Sequence, residues 1–475
     1  MLIAAILRSY RMSDLAVFLA DQASDSTAVY NILHGGFTLL GPITSIGGFY
    51  NGPIVYYLMA PVFWIFHSDP LSGTIFKTIL SCFTIPFIFL IGKKVWNEAT
   101  GFLAGFIFAI SPLMIEYSRS AFNSYPAIFF STVIVYLIFS LKKPFSNIKL
   151  LLIGICVGWI IQMHYLTIAF VLFIFLYPFF YKAYISWRYY LIISIGILIG
   201  FAPFLIFELR HDFLNMRLMI NYFTSSYESE RSLSHILTIW PRVTGEIIGG
   251  NKIVVGTGLF IMAVAVFLFQ FFMGSVRKKN YGAFVLLFCI MTIISAFYGK
   301  KLESHYVIVF HTSLILLVAA TVVTICKSHY KMIVVIAFIA MLFNATQWNI
   351  AKNMHLSQDG LSIQNFTYAA SLIQHDQKLR YNVAMHAQGD NRAMPLRYTL
   401  LLLGEHPKHY DTFTDIDHLY FIIPKKEKIE QQTMWEYTAF GPSTMVNMWS
   451  INEEYYLIKL EKNNNHILTY NFSTH

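Results

Sequence analysis

Charged side chains are scarce in this sequence. Asp, Glu, Lys and Arg make up 12% of its 475 residues, about half the share of an average soluble domain, while 56% are hydrophobic. So few charges do not cover the surface of a folded chain of this length, which excludes an ordinary water-soluble enzyme. Cysteine is scarce too. Cys82, Cys156, Cys289 and Cys326 all fall in or beside apolar runs and form no CxxC pair, so neither a disulfide framework nor a cysteine metal site is expected. Acids are outnumbered, leaving a net charge of +9. Through residue 348 there are 23 Lys and Arg against 12 Asp and Glu, and from 349 onward 11 against 13. The excess belongs to the apolar part, where the positive-inside rule accounts for it, and no nucleic-acid partner is expected. The alternation of a barrel strand is also missing, which leaves helices to satisfy backbone polar groups in lipid.

What is present is a series of apolar runs near the length that crosses a hydrocarbon core, roughly 20 residues. They lie at about 71–92, 101–116, 124–141, 148–165, 166–182, 189–207, 252–273, 281–298, 305–325 and 330–348. The run "PIVYYLMAPVFWIF" at 53–66 is short for a crossing and carries two prolines, as an interfacial or re-entrant segment would. "MLIAAIL" is shorter still and reads as the tail of a first helix whose beginning is missing; it lacks the charged start and cleavage site of a secretory signal. The expectation is an all-α polytopic membrane protein of about 11 transmembrane helices over residues 1–348.

Alternate connections between spans, "GKKVWNEAT", "LKKPFSNIK", "YKAYISWRYY", "VRKKN" and "CKSHYK", hold 12 Lys and Arg and the single acid Glu98. These are expected to be cytoplasmic. The remaining acids of the membrane part, from Asp14 to Glu303, then all fall on the opposite, outer face. From about residue 349 the apolar runs stop and short strand-like stretches such as "LYFIIP" and "YYLIKL" stand between polar turns. Residues 349–475 read as a small soluble α/β domain on that same outer face.

The polar residues that do not suit a membrane helix gather at outer ends of spans. Asp21 and Asp25 stand in a first outer loop of about 9–70. "EYSRSAFN" holds Glu116, Arg119 and Asn123, "QMHY" holds Gln162 and His164, "FELRHD" holds Glu208, Arg210, His211 and Asp212, and "GKKLESHY" holds Lys300, Lys301, Glu303 and His305. Ionisable groups near a bilayer are costly unless paired, hydrated or used, so five clusters on one face point to a shared polar cavity. Taken singly, each also has an ordinary reading as a helix-end residue reaching water. His311, inside an apolar run, reads as a packing histidine, and "QGDNR" as a hydrated turn. Carboxylates there are candidate bases, and cations are candidate phosphate partners. For the phosphate, Arg119 and Arg210 rank ahead of His211 and His305, because a planar guanidinium fork suits it.

"FLADQASDSTAVYNILHGGFTLLGPITSIGGFYNGPIVYYLMAP", followed by "SPLMIEYSRSAFN", "QMHY", "PFLIFELRHDF" and "SHYVIVF", resembles the bacterial branch of the dolichyl-phosphate-mannose protein mannosyltransferases, glycosyltransferase family 39 of the GT-C superfamily. The likeness runs from the first loop to about residue 325, with a weaker echo in "YNVAMHAQGDNRAMPLRYTLLLLG". It implies an inverting transferase of the cytoplasmic (inner) membrane. Such an enzyme takes a sugar from a polyprenyl-phosphate carrier and delivers it to a lipid, glycan or protein acceptor outside. The family's catalytic acid sits in the first outer loop, usually as Asp-Glu. Asp21 falls at the Asp, Gln22 replaces the Glu, and a second acid follows at Asp25. The resemblance therefore implies Asp21 as base, with Asp25 beside it. Glu116, Asn123, His164 and Glu208 are further candidates. No cofactor is required by this chemistry. A divalent metal is possible, since Asp21, Asp25, Glu116 and the histidines could gather round one, although no spacing is a recognised ligand motif.

Two other functions compete. A lipid or sugar transporter would share the span number, but neither an internal repeat nor a mid-span charge of the kind expected is present. A glycan ligase or polymerase would carry its key residues in a late outer loop, and the 208–251 segment is long enough for one.

Overall fold

The computed structural model describes residues 1–44, 47–142, 144–180, 186–225, 233–248, 253–272, 278–296, 303–326, 360–376, 380–387 and 390–463. The chain divides into two compact units. One takes its described residues from Met1–Tyr10, Asn31–Trp64 and Gly73–Met354, the other from Arg11–Tyr30, Ile65–Ser72 and His355–His475.

The first unit is helical. After α1 (Leu2–Ser9), and beyond the short α2 (Met12–Leu15) and α3 (Ala20–Leu33), come α4 (Ile54–Ile65), α5 (Ser72–Val95), α6 (Glu98–Ile110), α7 (Pro112–Ser118), α8 (Ala127–Phe139) and α9 (Asn147–Met163). They continue as α10 (Ala169–Phe180), α11 (Trp187–Arg210), α12 (Leu214–Ser225), α13 (Leu233–Ile248), α14 (Ile253–Phe272), α15 (Lys278–Ala296) and α16 (His311–Cys326). Among the described residues α5, α11 and the Ser304–Cys326 stretch are long and apolar enough to cross a membrane, α6 and α7 form a pair bent by 60°, and six shorter apolar helices accompany them. The expected span at 330–348 lies outside the described residues, as do Lys300 and Lys301.

Local chemistry sets these boundaries. Asn97 caps α6 by accepting from the Thr100 amide. α6 ends where Ser111 leaves helical geometry (φ −57°, ψ 124°), and Pro112, which has no N–H to satisfy, opens α7; the bend follows. The unmet carbonyls at helix ends draw buried cations, since lipid offers them no water. Arg8, fully buried, donates to the carbonyl oxygens of Ala109 (2.8 Å) and Phe108 (3.1 Å) at the end of α6 and to Ser81 Oγ (2.9 Å).

Small residues bring α9 and α11 together. Gly154 and Gly158 face Gly196 and Gly200, a four-residue repeat on both helices. A Cβ added at Gly154 would stand 2.3 Å from the Ile193 carbonyl oxygen, and one at Gly158 2.6 Å from that of Ile197, so main chain packs on main chain.

The second unit contains α2, the start of α3, the 65–72 loop and an α/β domain. That domain runs α17 (Ile363–His375), β1 (Tyr381–Met385), α18 (Met394–Leu402), β2 (His418–Pro424), α19 (Trp435–Phe440), β3 (Ser443–Ser450) and β4 (Tyr455–Lys462). Its sheet has the order β1-β2-β4-β3, with β1 and β2 parallel across the α18 crossover and the other pairs antiparallel. One face packs Tyr420 and Leu457 on Phe366 of α17 and Leu396 of α18. The other packs Phe421 and Ile458 on Phe413 and Phe440. β2 is buried along its whole length and β4 along most of it, which explains the nearly unbroken apolar reading of "LYFIIP" and "YYLIKL".

Candidate functional site

Asp21 occupies the first turn of α3, where a carboxylate is favoured by the helix N-terminus. It is exposed, yet enough protein surrounds it to raise its carboxyl from the ordinary aspartate value. Gln22 is buried and its Oε1 accepts from the Leu19 amide (3.0 Å), so the residue standing where the family usually has Glu closes the start of the helix. Asp25, one turn on, is 2% exposed. Both acids lie in α3 one turn apart, and of the two only Asp21 is exposed.

The "FELRHDF" motif builds a corner between α11 and α12. Asp212 and Phe213 both take the left-handed conformation (φ 52° and 56°), and the chain reverses there. Glu208, 4% exposed, uses Oε2 to accept from the Met216 amide (3.1 Å) at the start of α12; its Oε1 has no partner among the described residues. Arg210 is exposed at the end of α11, and His211, also exposed, stacks on Phe207 at 4.2 Å. Past the corner, Asn215 holds the first outer loop. Its Oδ1 accepts from the Tyr50 amide (2.6 Å), while its Nδ2 donates to the Tyr50 carbonyl oxygen (2.8 Å) and to the Tyr165 hydroxyl (3.0 Å). Gln162 acts beside it. Its carbonyl oxygen accepts from the Gly52 amide (3.0 Å), and its Nε2 donates to the Gly200 carbonyl oxygen (2.6 Å). A Cβ at Gly52 would stand 2.4 Å from the Gln162 side chain, so only glycine fits this approach.

Arg119 does not stand open as a phosphate ligand would. It is 3% exposed, and Nη2 donates to the carbonyl oxygens of Leu7 (2.6 Å) and Tyr10 (3.2 Å), closing the end of α1; Nη1 has no partner among the described residues. A second group does come together. Asn123 donates to the Met163 carbonyl oxygen (3.4 Å), His164 accepts from the Leu166 amide (3.3 Å), and His305 packs against Phe122 (5.6 Å) and His164 (6.4 Å). Glu116 is partly buried in α7. His311 is fully buried, with Nε2 at 3.0 Å from the Ser304 carbonyl oxygen and its ring stacked on Tyr117, in keeping with a packing role.

Two cations were not singled out from the sequence. Lys77, 3% exposed, donates to the Phe122 carbonyl oxygen (2.9 Å) and lines a small, partly open pocket with Ser81, Phe108, Tyr117, Tyr125 and Phe129. Its signal was a lysine inside the apolar run "LSGTIFKTIL". Arg242 reaches Glu246 (3.8 Å) and Glu303 (3.7 Å), and Ser304 Oγ donates to Glu246. Among the described residues no group of three His, Cys, Asp or Glu gathers closely enough to hold a metal ion.

Residues 50–207 match the family model "Dolichyl-phosphate-mannose-protein mannosyltransferase", a segment that holds the Tyr50, Lys77, Gln162 and His164 surroundings and begins after Asp21. The sequence has no match among curated proteins. Among solved structures the chain is similar to ArnT from Cupriavidus metallidurans bound to undecaprenyl phosphate, at 11% identity and a TM-score of 0.64, covering 98% of this chain and 97% of that one. It is also similar to the Archaeoglobus fulgidus oligosaccharyltransferase in complex with Zn and sulfate, at 12% identity and a TM-score of 0.54, covering 88% of this chain and 67% of that one. A third likeness is to the archaeal oligosaccharyltransferase AglB from the same organism with an inhibitory peptide and a dolichol-phosphate (11%, TM-score 0.53, 88% and 68%). The matched segment and the shared fold point the same way: residues 50–207 are similar to the dolichyl-phosphate-mannose-protein mannosyltransferases, and the chain shares the fold of these solved structures.

Proposed function

We propose that this protein is a glycosyltransferase that moves a sugar, with inversion, from a polyprenyl-phosphate carrier to an acceptor on the outer face of the cytoplasmic membrane. The observation that carries the proposal is Asp21, an exposed carboxylate with a raised proton affinity in the first turn of α3. Ionised Asp21 takes the proton of the acceptor hydroxyl or amine as that atom attacks the anomeric carbon. The bond from that carbon to the phosphate oxygen breaks on the opposite side, and the carrier leaves as a polyprenyl phosphate. Cations steady the charge that develops there. Arg210, His211 and His305 are proposed for this. Lys77 stands beside the apolar side chains of Phe108, Tyr117 and Phe129, and a cation next to apolar surface suits a prenyl phosphate. The likeness to structures holding undecaprenyl phosphate and dolichol-phosphate supports the choice of carrier. The α/β domain is proposed to lie on the outer side, and the acceptor is a lipid, a glycan or a protein.

Membranes incubated with a labelled monosaccharide polyprenyl phosphate test this. Asp21→Asn is expected to lower transfer by roughly 10²-fold or more with unchanged insertion and folding. Because the Asp21 carboxyl is raised, wild-type activity should climb with pH through a limb above the ordinary aspartate range as the base deprotonates. Near-normal transfer by Asp21→Asn would overturn the assignment.

A further inference from the structure

The α/β domain does more than sit at the end of the chain, because one of its buried residues touches both ends of the loop that carries Asp21. Tyr398, on α18, is fully buried. Its ring packs against Phe18 with centroids 5.7 Å apart and planes at 56°. Phe18 is 6% exposed and lies three residues before Asp21. The Tyr398 hydroxyl donates to the Ser68 carbonyl oxygen (2.6 Å). Ser68 and His67 are consecutive non-glycine residues in the left-handed region (φ 60° and 52°), a backbone shape that persists only where its surroundings hold it. Ser68 belongs to the short turn between α4 and α5, at the far end of the first outer loop. A single side chain thus contacts the loop just ahead of the proposed base and again where the loop returns to the first long apolar helix. Contact between α17 and α2 adds to the same junction.

We propose that Tyr398 is a positioning residue for transfer: it clamps the two ends of the first outer loop and so holds the first turn of α3, with Asp21, in its working place. The proposal rests on Asp21 being the base. Its chemistry is a ring contact plus one buried hydrogen bond to a strained turn, and the two parts separate by mutation. Tyr398→Phe keeps the ring on Phe18 and removes the bond to Ser68. Tyr398→Ala removes both.

The experiment uses the full chain in detergent micelles, reading amide hydrogen exchange and steady-state kinetics with a labelled monosaccharide polyprenyl phosphate. Exchange in residues 65–72 is expected to rise in both variants. Exchange in 18–26 should rise by about tenfold in Tyr398→Ala and much less in Tyr398→Phe, while α9 and α11 stay protected. kcat should fall about tenfold or more in Tyr398→Ala with KM for the donor unchanged, since a misplaced base slows chemistry without weakening carrier binding. If Tyr398→Ala does not fold, Tyr398→Phe carries the test through 65–72 and a smaller loss of kcat. Unchanged exchange in 18–26 and 65–72 would overturn the proposal, and so would altered exchange with unchanged kcat. If instead the wild type transfers nothing, or Asp21→Asn transfers normally, the assignment of the base fails, and the exchange data still show whether Tyr398 holds the loop.

Discussion

The two units keep buried cations in different company. In the helical unit Arg8, Arg119 and Lys77 are each nearly or fully buried, and each gives its protons to main-chain carbonyl oxygens of Phe108 and Ala109, Leu7 and Tyr10, or Phe122. In the α/β domain Lys459 pairs with Asp376 (2.8 Å), which also accepts from Tyr420 Oη, and at the surface the exposed Arg380 forks onto Asp415 and Asp417. Arg397 is the exception, spending most of its donors on carbonyls of Val383, Arg392 and Lys408. The difference follows from surroundings. A span bordered by lipid has few acids to offer, and the open ends of short helices serve as its counter-charges. A water-facing domain has acids to spare and can pair them at modest cost.

Packing differs in the same sense, and mutations can press on that difference from both sides. A large effect is expected from adding atoms to the helical unit. Gly158→Leu drives a side chain into the Ile197 carbonyl and the Gly200 main chain, which no rotamer change relieves, at a cost of about 3 kcal/mol or more. Size-exclusion chromatography of the solubilised protein should show loss of the monodisperse species; a normal yield would mean that α9 and α11 are not in main-chain contact. Removing atoms should be the greater injury in the α/β domain. Phe421→Ala empties a fully buried position beside Phe413 and Phe440 and should lower unfolding stability by about 3–5 kcal/mol, read by denaturant titration of the domain's near-ultraviolet signal.

A smaller and pH-dependent effect is expected at Asp390. It is 6% exposed and caps the start of α18 through the amides of Arg392 (3.0 Å) and Met394 (2.9 Å), but burial outweighs those bonds and pushes its carboxyl up to about 6 from an ordinary 3.8. A raised carboxyl binds its proton more tightly folded than unfolded. Its contribution to stability is therefore present below the unfolded value and lost as pH rises from about 4 to about 6, by at most roughly 3 kcal/mol. Asp390→Asn should flatten that part of the stability profile, and an unchanged slope would place the titration elsewhere.

Much of the helical unit was legible because hydropathy alone marks a lipid-crossing helix. The expected 71–92, 189–207 and 305–325 runs appear as α5, α11 and the Ser304–Cys326 stretch within a few residues. α12 and α13 were hidden inside the 208–251 segment, since their apolar residues are interrupted by polar ones. In the α/β domain the central strands stood out, while β3 did not: "STMVNMWS" is exposed along most of an edge and has no apolar signature to show. Site residues were harder. Asp21 was singled out by the family resemblance, and the structure shows it exposed in the first turn of α3. Arg119 was assigned from its place in a polar cluster and its planar fork, and the helix end that it closes lies more than 100 residues away in sequence, where no local pattern could show it. Lys77 was passed over because attention to polar clusters misses a lone cation in an oily run. Asn215 carries no charge and gave no signal at all.

The contact of Gly154 and Gly158 with Gly196 and Gly200 has a mechanical consequence. Two helices whose main chains touch have no compressible layer of side chains between them, so α9 and α11 are expected to twist and tilt as one stiff beam. Gln162 extends from one half of that beam and grips the other at Gly200, and Asn215 follows directly beyond its end. The Tyr50–Gly52 segment is tied to both, so thermal bending of any one helix reaches it only after being averaged over the pair.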